Sequence, residues 1–270
     1  AGSAAARVLL GGLVAAWLGP EIALVGGGGQ AEYPFMGGWL ALSVVQVLAM
    51  VVLVFGYRAS GERVREALGE GGRPMTDILR QPVIWAAISA AAIGYALMSF
   101  IMTATPLSMT EVADHPLEDA KWVIQIHIMA MYLPSLISGW FIRVVGIPRM
   151  MGLGLLAYLG CVALAFSGIS FHHYLFALIL LGVGWNFLFV GGTTLLPQGY
   201  RDEERFRVQG LNDLMVFGSQ ATAALSAGAV LAAFDWNGLL LIAIPFLVLH
   251  GVLMAVWLMS RPQDRGRHPA

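Results

Sequence analysis

Apolar residues follow one another along this chain in runs too long for the amphipathic helices or alternating strands of a soluble domain. A helix needs about 20 mostly apolar residues to cross the hydrocarbon core of a bilayer. Eight runs approach or reach this length, at residues 8–25, 34–55, 83–109, 122–141, 150–167, 174–196, 208–233 and 239–259. The pattern therefore predicts an all-α, polytopic membrane protein with eight transmembrane helices.

The positive charges indicate which side of the membrane each connecting loop faces. Fourteen of the 15 Lys and Arg residues lie in the N-terminal segment, in residues 56–82, 142–149 and 197–207, and in the C-terminal tail. The loops on the opposite side contain only Lys121. Because Lys and Arg are retained on the cytoplasmic side, both ends of the chain are predicted to be cytoplasmic. We expect an integral, multi-pass protein of a bacterial inner membrane.

The one long polar segment divides the chain into unequal parts. Residues 56–82 are rich in Gly, Arg and Glu, whereas the other connections are much shorter. This predicts four regions, which are two helices in residues 1–55, a cytoplasmic central loop at 56–82, a six-helix bundle at 83–260 and a cytoplasmic tail at 261–270.

Composition and motifs exclude several classes of function. Hydrophobic residues make up 58% of the chain and charged residues only 11%, against about 25% charged in a soluble domain. The Gly26–Gly29 run lacks the Gly-Lys-Ser/Thr continuation of a phosphate loop, and His172-His173 has no third ligand nearby in sequence. We therefore predict no nucleotide, metal or other cofactor and no nucleic-acid partner. No paired nucleophile and base lie at membrane depth, so an intramembrane enzyme is disfavoured.

Three short motifs resemble those of a known transporter family. They are Ala15-x-x-x-Gly19-Pro20 in the first span, the Gly139–Arg149 turn after the fourth span, and the run PQGYRDEERFRVQGLND after the sixth. Together with the layout of the helices, they resemble the last two-thirds of a major facilitator superfamily (MFS) transporter. Arg143 lies where the family's turn motif has an aspartate.

The resemblance implies a fold and a function. The eight spans would be the fifth to twelfth helices of the family, forming a partial MFS fold with two helices of the N-terminal bundle and a complete six-helix C-terminal bundle. Because the chain also begins at Ala1 without Met, we expect a fragment whose parent protein has further N-terminal helices. The implied function is secondary active transport of a small organic solute by alternating access, with proton coupling as an option.

Polar side chains within the spans are the candidate site, because such groups are costly in hydrocarbon and usually face a cavity or a partner. On a helical wheel, Asn186 and Thr193 share one face of the sixth span, with Trp185 beside it, while Gly184 and Gly191 lie opposite. Similar stripes occur on three other spans. The residues predicted to line a solute cavity are Asn186, Trp185, Thr193, Tyr95, Ser99, Gln125, Tyr132, Gln209, Asn212 and Gln220.

Two ionisable residues are candidates for proton coupling or for a gate. Asp213 lies near the cytoplasmic end of the seventh span, and His127 lies on the face of the fourth span opposite Gln125. Each polar residue has a plainer alternative, which is a hydrogen bond to a neighbouring helix. The alternatives to transport as a whole are a non-transporting remnant of a transporter or a helix-bundle scaffold. A solute and membrane lipids are the expected partners.

Overall fold

The computed structural model describes residues 11, 14, 17–19, 21–22, 36–56 and 72–261. Within these residues the chain is helical and contains no β-strand. It divides into two units, residues 1–70 and 71–270. The first predicted span, 8–25, lies largely outside the described residues, as do the first part of the predicted central loop and the C-terminal tail from residue 262.

The described residues of the first unit include helix α1 (Met36–Gly56), which matches the predicted span at 34–55. None of its residues is buried. This helix of 21 mostly apolar residues is long enough to cross a bilayer. The length and composition of α1 are therefore those of a membrane helix whose side chains face hydrocarbon or other helices.

The second unit is a bundle of helices joined by tight turns. A π-helical turn, Ser108–Val112, continues the first long helix just beyond Pro106, and 3₁₀ turns follow other helices at Leu133–Leu136, Leu196–Gly199 and Asp202–Glu204. The helices of this unit are α2 (Met75–Leu79), α3 (Pro82–Leu107), α4 (Leu117–Tyr132), α5 (Ser138–Val145), α6 (Ile147–Phe166), α7 (Phe171–Leu195) and α8 (Arg205–Ser260).

Five of the described helices are long and apolar enough to cross a membrane, and the bent pair α4–α5 would bring the number to six if it crosses as one span. Helix α8 has 56 residues, or about 84 Å at 1.5 Å per residue, which far exceeds the roughly 30 Å of a bilayer core. Its helical geometry breaks at Asp235, with φ 59° and ψ 179°. We therefore treat α8 as two arms, residues 205–234 and 236–260, which coincide with the seventh and eighth predicted spans.

The fourth span is not the straight helix that the apolar run at 122–141 predicts. Helix α4 ends at Tyr132, and α5 leaves it at an angle of 60°. Pro134 lies within the 3₁₀ turn between them, because its ring lacks an N–H and clashes with the preceding helical turn. The span is therefore broken, and its second half runs on to Val145.

Glycines on α7 allow three neighbouring helices to approach its backbone closely. A Cβ placed at Gly182 would lie 2.8 Å from the carbonyl oxygen of His127 on α4, and one at Gly192 would lie 2.6 Å from that of Ala87 on α3. On the predicted glycine face, a Cβ at Gly184 would lie 3.1 Å from the carbonyl oxygen of Gly154 on α6. That prediction is confirmed, and α7 occupies the centre of the bundle between α3, α4 and α6.

Candidate functional site

Five aromatic side chains from four helices of the second unit form a connected group. Tyr95 on α3 makes edge-on contacts with Trp185, Phe189 and Phe217, at ring-centroid distances of 5.3, 5.6 and 6.0 Å. Trp185 stacks on Phe189 with centroids 5.2 Å apart and also meets the edge of Tyr132 at 6.3 Å. We call Tyr95, Tyr132, Trp185, Phe189 and Phe217 the aromatic cluster.

The aromatic cluster is partly open rather than sealed in the core. Trp185 is buried, Tyr95, Tyr132 and Phe189 are half-buried, and Phe217 is exposed. The indole nitrogen of Trp185 is buried and has no hydrogen-bond partner among the described residues. The cluster therefore offers apolar ring faces together with one unused N–H donor, and three of its members were predicted as cavity residues.

Asn186, next to Trp185 in the chain, points into a contact between helices. Its amide nitrogen donates to the carbonyl oxygen of Met131, at 2.8 Å, and to the hydroxyl of Ser135. The residue is almost fully buried. This is the interhelical alternative that its position on the wheel left open, because the glycine at position 182 lets α4 lie directly against this face.

Four of the predicted polar residues, Gln209, Asn212, Asp213 and Gln220, form a polar stripe on the first arm of α8. The residues of this stripe near the N-terminal end of the arm make local contacts. Gln209 donates to the hydroxyl of Tyr200, at 2.9 Å, and Asn212 donates to the carboxylate of Asp213, at 3.2 Å. Asn212 is buried, Gln209 and Gln220 are half-buried, and Asp213 is exposed. The carboxylate of Asp213 is thus held by its neighbour and remains accessible.

The remaining candidates do not join the aromatic cluster. Ser99, Gln125 and His127 are buried among the helices. The Nδ1 atom of His127 lies 2.7 Å from the carbonyl oxygen of Leu178, so His127 links α4 to α7. Thr193 is exposed and donates its hydroxyl hydrogen to carbonyl oxygens of its own helix. The ten predicted cavity residues therefore differ in burial and in hydrogen-bond partners, and their role in lining a cavity stays a prediction.

Sequence reasoning missed two members of the aromatic cluster, Phe189 and Phe217. Both carried a usable signal, since Phe189 lies on the same face of its helix as Asn186, and Phe217 lies one helical turn after Asp213, at the edge of the polar stripe. An aromatic residue on a polar helix face is a candidate for contact with an amphipathic ligand. Among the described residues there is no group of three or more His, Cys, Asp or Glu that could hold a metal ion.

The long apolar helices, the helix broken at a proline and the aromatic cluster shared by four helices define a multi-pass membrane protein of the helical-bundle class. The sequence profile of the Major Facilitator Superfamily matches residues 101–270. The chain belongs to this family, as the motifs and the helix layout indicated.

The chain is also similar in sequence to individual transporters. The chain is 34% identical over 256 residues to the riboflavin transporter RfnT of Brucella anthropi, an alignment that covers 95% of this chain and 64% of the relative. It is also 34% identical over 172 residues to the uncharacterized MFS-type transporter YddS of Bacillus subtilis, covering 63% of this chain and 39% of the relative. The chain thus spans less than two-thirds of the length of these relatives. No solved structure matches it.

Proposed function

We propose that the protein is a secondary active transporter, working by alternating access, whose solute is a planar aromatic heterocycle of the flavin type. The observation that carries the proposal is the aromatic cluster around Tyr95 and Trp185. The name of the relative from Brucella anthropi, a riboflavin transporter, supports the same class of solute.

The chemistry of the cluster suits a flat ring system with polar edges. Ring faces of Trp and Tyr attract other aromatic rings in stacked or edge-on arrangements, worth about 0.5–1.5 kcal/mol a pair beyond burial. The unused indole N–H of Trp185 can donate to a ring carbonyl. Because the cluster is shared by α3, α4, α7 and α8, a solute bound there would contact four helices of the second unit at once.

For proton coupling we favour Asp213 over His127. The Asp213 carboxylate is exposed, and among the described residues its hydrogen-bond partner is the neighbouring Asn212. His127 is enclosed between α4 and α7, where its Nδ1 is used on the Leu178 carbonyl. A group that exchanges protons with water during a transport cycle must be reachable, and Asp213 meets this condition.

The proposed solute and its binding site are tested by transport assays on the full-length protein in proteoliposomes. Riboflavin flux driven by an imposed pH gradient is measured for the wild type, Trp185→Ala and Tyr95→Leu. Each variant loses a ring contact, and we expect flux to fall about tenfold or more. The matched control is Phe176→Ala, which removes an exposed aromatic ring of α7 that lies outside the cluster. Equal flux in all four proteins would refute the assignment of the solute site.

The coupling residue is tested in the same vesicles. We expect Asp213→Asn to abolish the dependence of flux on the pH gradient while leaving exchange of labelled for unlabelled solute intact. Glu203→Gln, an exposed carboxylate outside the membrane spans, serves as the control. Gradient-driven flux that survives in Asp213→Asn would exclude this residue as the coupling group.

The proposal includes the orientation given by the basic loops, with both ends of the chain cytoplasmic in a bacterial inner membrane, and the four-region division of the chain. The one cysteine of this chain, Cys161, is buried, so single cysteines are introduced into a full-length protein from which any cysteine outside this chain has been removed. Glu203→Cys should react with a membrane-impermeant maleimide only from the cytoplasmic side, and Glu111→Cys only from the opposite side. Reaction of both from one side would disprove the orientation.

A further inference from the structure

The break in the fourth span lies directly beside the aromatic cluster. Helix α4 ends at Tyr132, a member of that cluster, and the chain turns through residues 133–137 before α5 leaves at an angle of 60°. We call residues 133–137 the joint. On the facing helix α7, Trp185 contacts Tyr132 at a ring-centroid distance of 6.3 Å, and Asn186 is the next residue. The joint and the aromatic cluster are therefore adjacent along both helices.

The joint deprives carbonyl oxygens at the end of α4 of their helical donors. Pro134 has no N–H, so the carbonyl oxygen of Ala130, one turn earlier, loses its partner. Ser135 lies in the 3₁₀ turn Leu133–Leu136, where an N–H reaches back by a shorter interval than in an α-helix. The carbonyl oxygen of Met131 therefore loses its α-helical donor too. Within a hydrocarbon core such groups must be satisfied from elsewhere in the protein.

Asn186 supplies one of the missing donors from the neighbouring helix. Its Nδ2 atom donates to the carbonyl oxygen of Met131, at 2.8 Å, and donates its second hydrogen to the hydroxyl of Ser135. A single amide group thus bonds both the last turn of α4 and the joint itself. Asn186 therefore takes the place of a helical hydrogen bond that the break removed.

The acceptor half of the same amide is unused. The Oδ1 atom of Asn186 is buried and has no hydrogen-bond partner among the described residues. A buried acceptor without a partner raises the free energy of the arrangement that contains it. The bent arrangement is therefore held less firmly than a fully paired amide would hold it, which suits a joint that moves.

Helix α5 is a short arm between two points where the backbone changes direction. It ends at Gly146, whose φ of 84° is rarely adopted by residues with a Cβ. Along its length α5 contacts α7 through the stacked rings of Phe141 and Phe187, with centroids 5.2 Å apart. Helix α4 is packed much more tightly, since a Cβ at Gly182 of α7 would lie 2.8 Å from the carbonyl oxygen of His127. A change at the joint therefore moves α5 and leaves α4 in place.

We propose that Asn186 is a positioning residue for transport, which holds the joint bent and releases it during the transport cycle so that α5 swings relative to α4. A solute that stacks on Trp185 shifts Tyr132, the residue before the joint, and this movement reaches the amide of Asn186. Asn186 does not itself contact the solute, so its loss slows turnover and leaves the affinity for the solute unchanged. The solute-driven step rests on the transport function proposed above, whereas the bend itself does not.

The bend is measured by pulsed electron paramagnetic resonance on the full-length protein in proteoliposomes without solute. Spin labels are attached at Glu118→Cys on α4 and Arg143→Cys on α5, two exposed positions, after any cysteine outside this chain has been removed. At 1.5 Å per residue these positions are about 33 Å apart with the 60° bend and about 38 Å apart in a straight helix.

Two variants should release the bend by different routes. Asn186→Leu removes the amide, and Pro134→Ala restores the missing N–H. We expect each to broaden the distribution of distances and to lengthen the mean distance by up to about 5 Å. The control is Thr194→Val, which removes an exposed polar group of the same helix α7 and should leave the distances unchanged. Equal distances in the wild type, Asn186→Leu and Pro134→Ala would overturn the proposal.

Transport kinetics distinguish a positioning residue from a purely structural one. Asn186→Leu should lower the maximal rate of riboflavin flux about fivefold or more while the half-saturating concentration stays the same within about twofold. Thr194→Val should change neither quantity. A lengthened distance in Asn186→Leu together with the maximal rate of the wild type would also overturn the proposal. Absence of riboflavin flux in the wild type would refute the proposed solute, whereas the distances, measured without solute, would still decide whether Asn186 holds the bend.

Discussion

Arg73 and Glu204 form a two-pronged ion pair between the segment before α3 and the turn before α8. The Nε and Nη2 atoms of Arg73 donate to the two carboxylate oxygens of Glu204, at 2.8 and 2.7 Å. The Glu204 carboxylate also accepts the backbone N–H groups of Arg73 and Arg201, and its side chain is completely buried. Paired Arg–carboxylate contacts of this kind are the strongest hydrogen bonds available to side chains.

Glu204→Gln is expected to lower the melting temperature of the detergent-solubilised protein by several degrees. The amide keeps the size of the side chain but replaces one acceptor oxygen by a donor that faces the Arg73 guanidinium. Glu203→Gln, an exposed neighbour in the same turn, should leave the melting temperature unchanged. Identical melting of the two variants would show that the ion pair contributes nothing to stability.

The same pair makes stability depend on pH. The hydrogen bonds from Arg73 hold the pKa of Glu204 well below its ordinary value of 4.5, against the opposing effect of burial, and the backbone N–H groups of Arg201 and Arg73 lower this pKa further. Because the folded protein binds this proton less tightly than the unfolded chain, the stabilisation is complete above about pH 4.5 and is lost as the pH falls towards the lowered pKa. It does not change between pH 5 and 8.

The measurement is a series of melting temperatures from pH 7 to pH 3 for the wild type and Glu204→Gln. We expect the gap between the two curves to be constant down to about pH 5 and to narrow below it. Glu203→Gln, which retains Glu204, should follow the wild type throughout. A gap that widens on acidification would contradict the direction of the pKa shift.

Gly72 is required by the geometry of this ion pair. Its φ is +98°, and a Cβ at this position would lie 2.6 Å from the Cγ atom of Glu204. Gly72→Ala should destabilise the protein by about 1–2 kcal/mol from the backbone conformation alone, and the collision with Glu204 adds to this. Gly210→Ala, at an open helical glycine, should instead be neutral or stabilising by up to about 1 kcal/mol. Thermal unfolding of the pair distinguishes the two outcomes.

The variant Asn186→Leu distinguishes two roles for this residue, which are a hydrogen bond between helices and a contact with the solute. Asn186→Leu removes the donors to Met131 and Ser135, and interhelical hydrogen bonds in membranes contribute on average about 0.6 kcal/mol. We expect a lower melting temperature with little change in the apparent affinity for riboflavin. A solute-contacting role would show the reverse, which is an unchanged melting temperature and weaker binding.

Much of the helix layout was predictable because a bilayer imposes it. The apolar runs at 83–109, 150–167 and 174–196 correspond closely to α3, α6 and α7, since every backbone polar group in hydrocarbon must be satisfied within a helix. The break at Asp235 falls between the predicted spans at 208–233 and 239–259, where the apolar run is interrupted. The bend after Tyr132 was less accessible, because a proline within an apolar run permits either a kink or a complete break.

The candidate site was only partly predictable. Wheel positions placed Trp185, Asn186 and Thr193 together, yet the structure assigns them to an aromatic contact, a helix contact and an exposed face. A helical wheel gives the direction of a side chain but not the neighbour that it meets. The Arg73–Glu204 pair, 131 residues apart in sequence, left no local signal, because its partners are brought together only when the bundle forms.

The sequence by itself determined that this is a helical membrane protein, since the length of the apolar runs follows from the thickness of the bilayer. The family was indicated by the resemblance of its motifs and helix layout to the major facilitator superfamily, and the family profile matches residues 101–270. The tertiary structure decided which of the polar and aromatic residues meet. Tyr95 contacts Trp185 where α3 and α7 approach closely, at Gly94 against Leu188, and Asn186 is enclosed because α4 lies against Gly182. These contacts depend on which helix packs on which face. The packing is set by how well the side chains of two whole helix surfaces interdigitate, which a single helical wheel does not show.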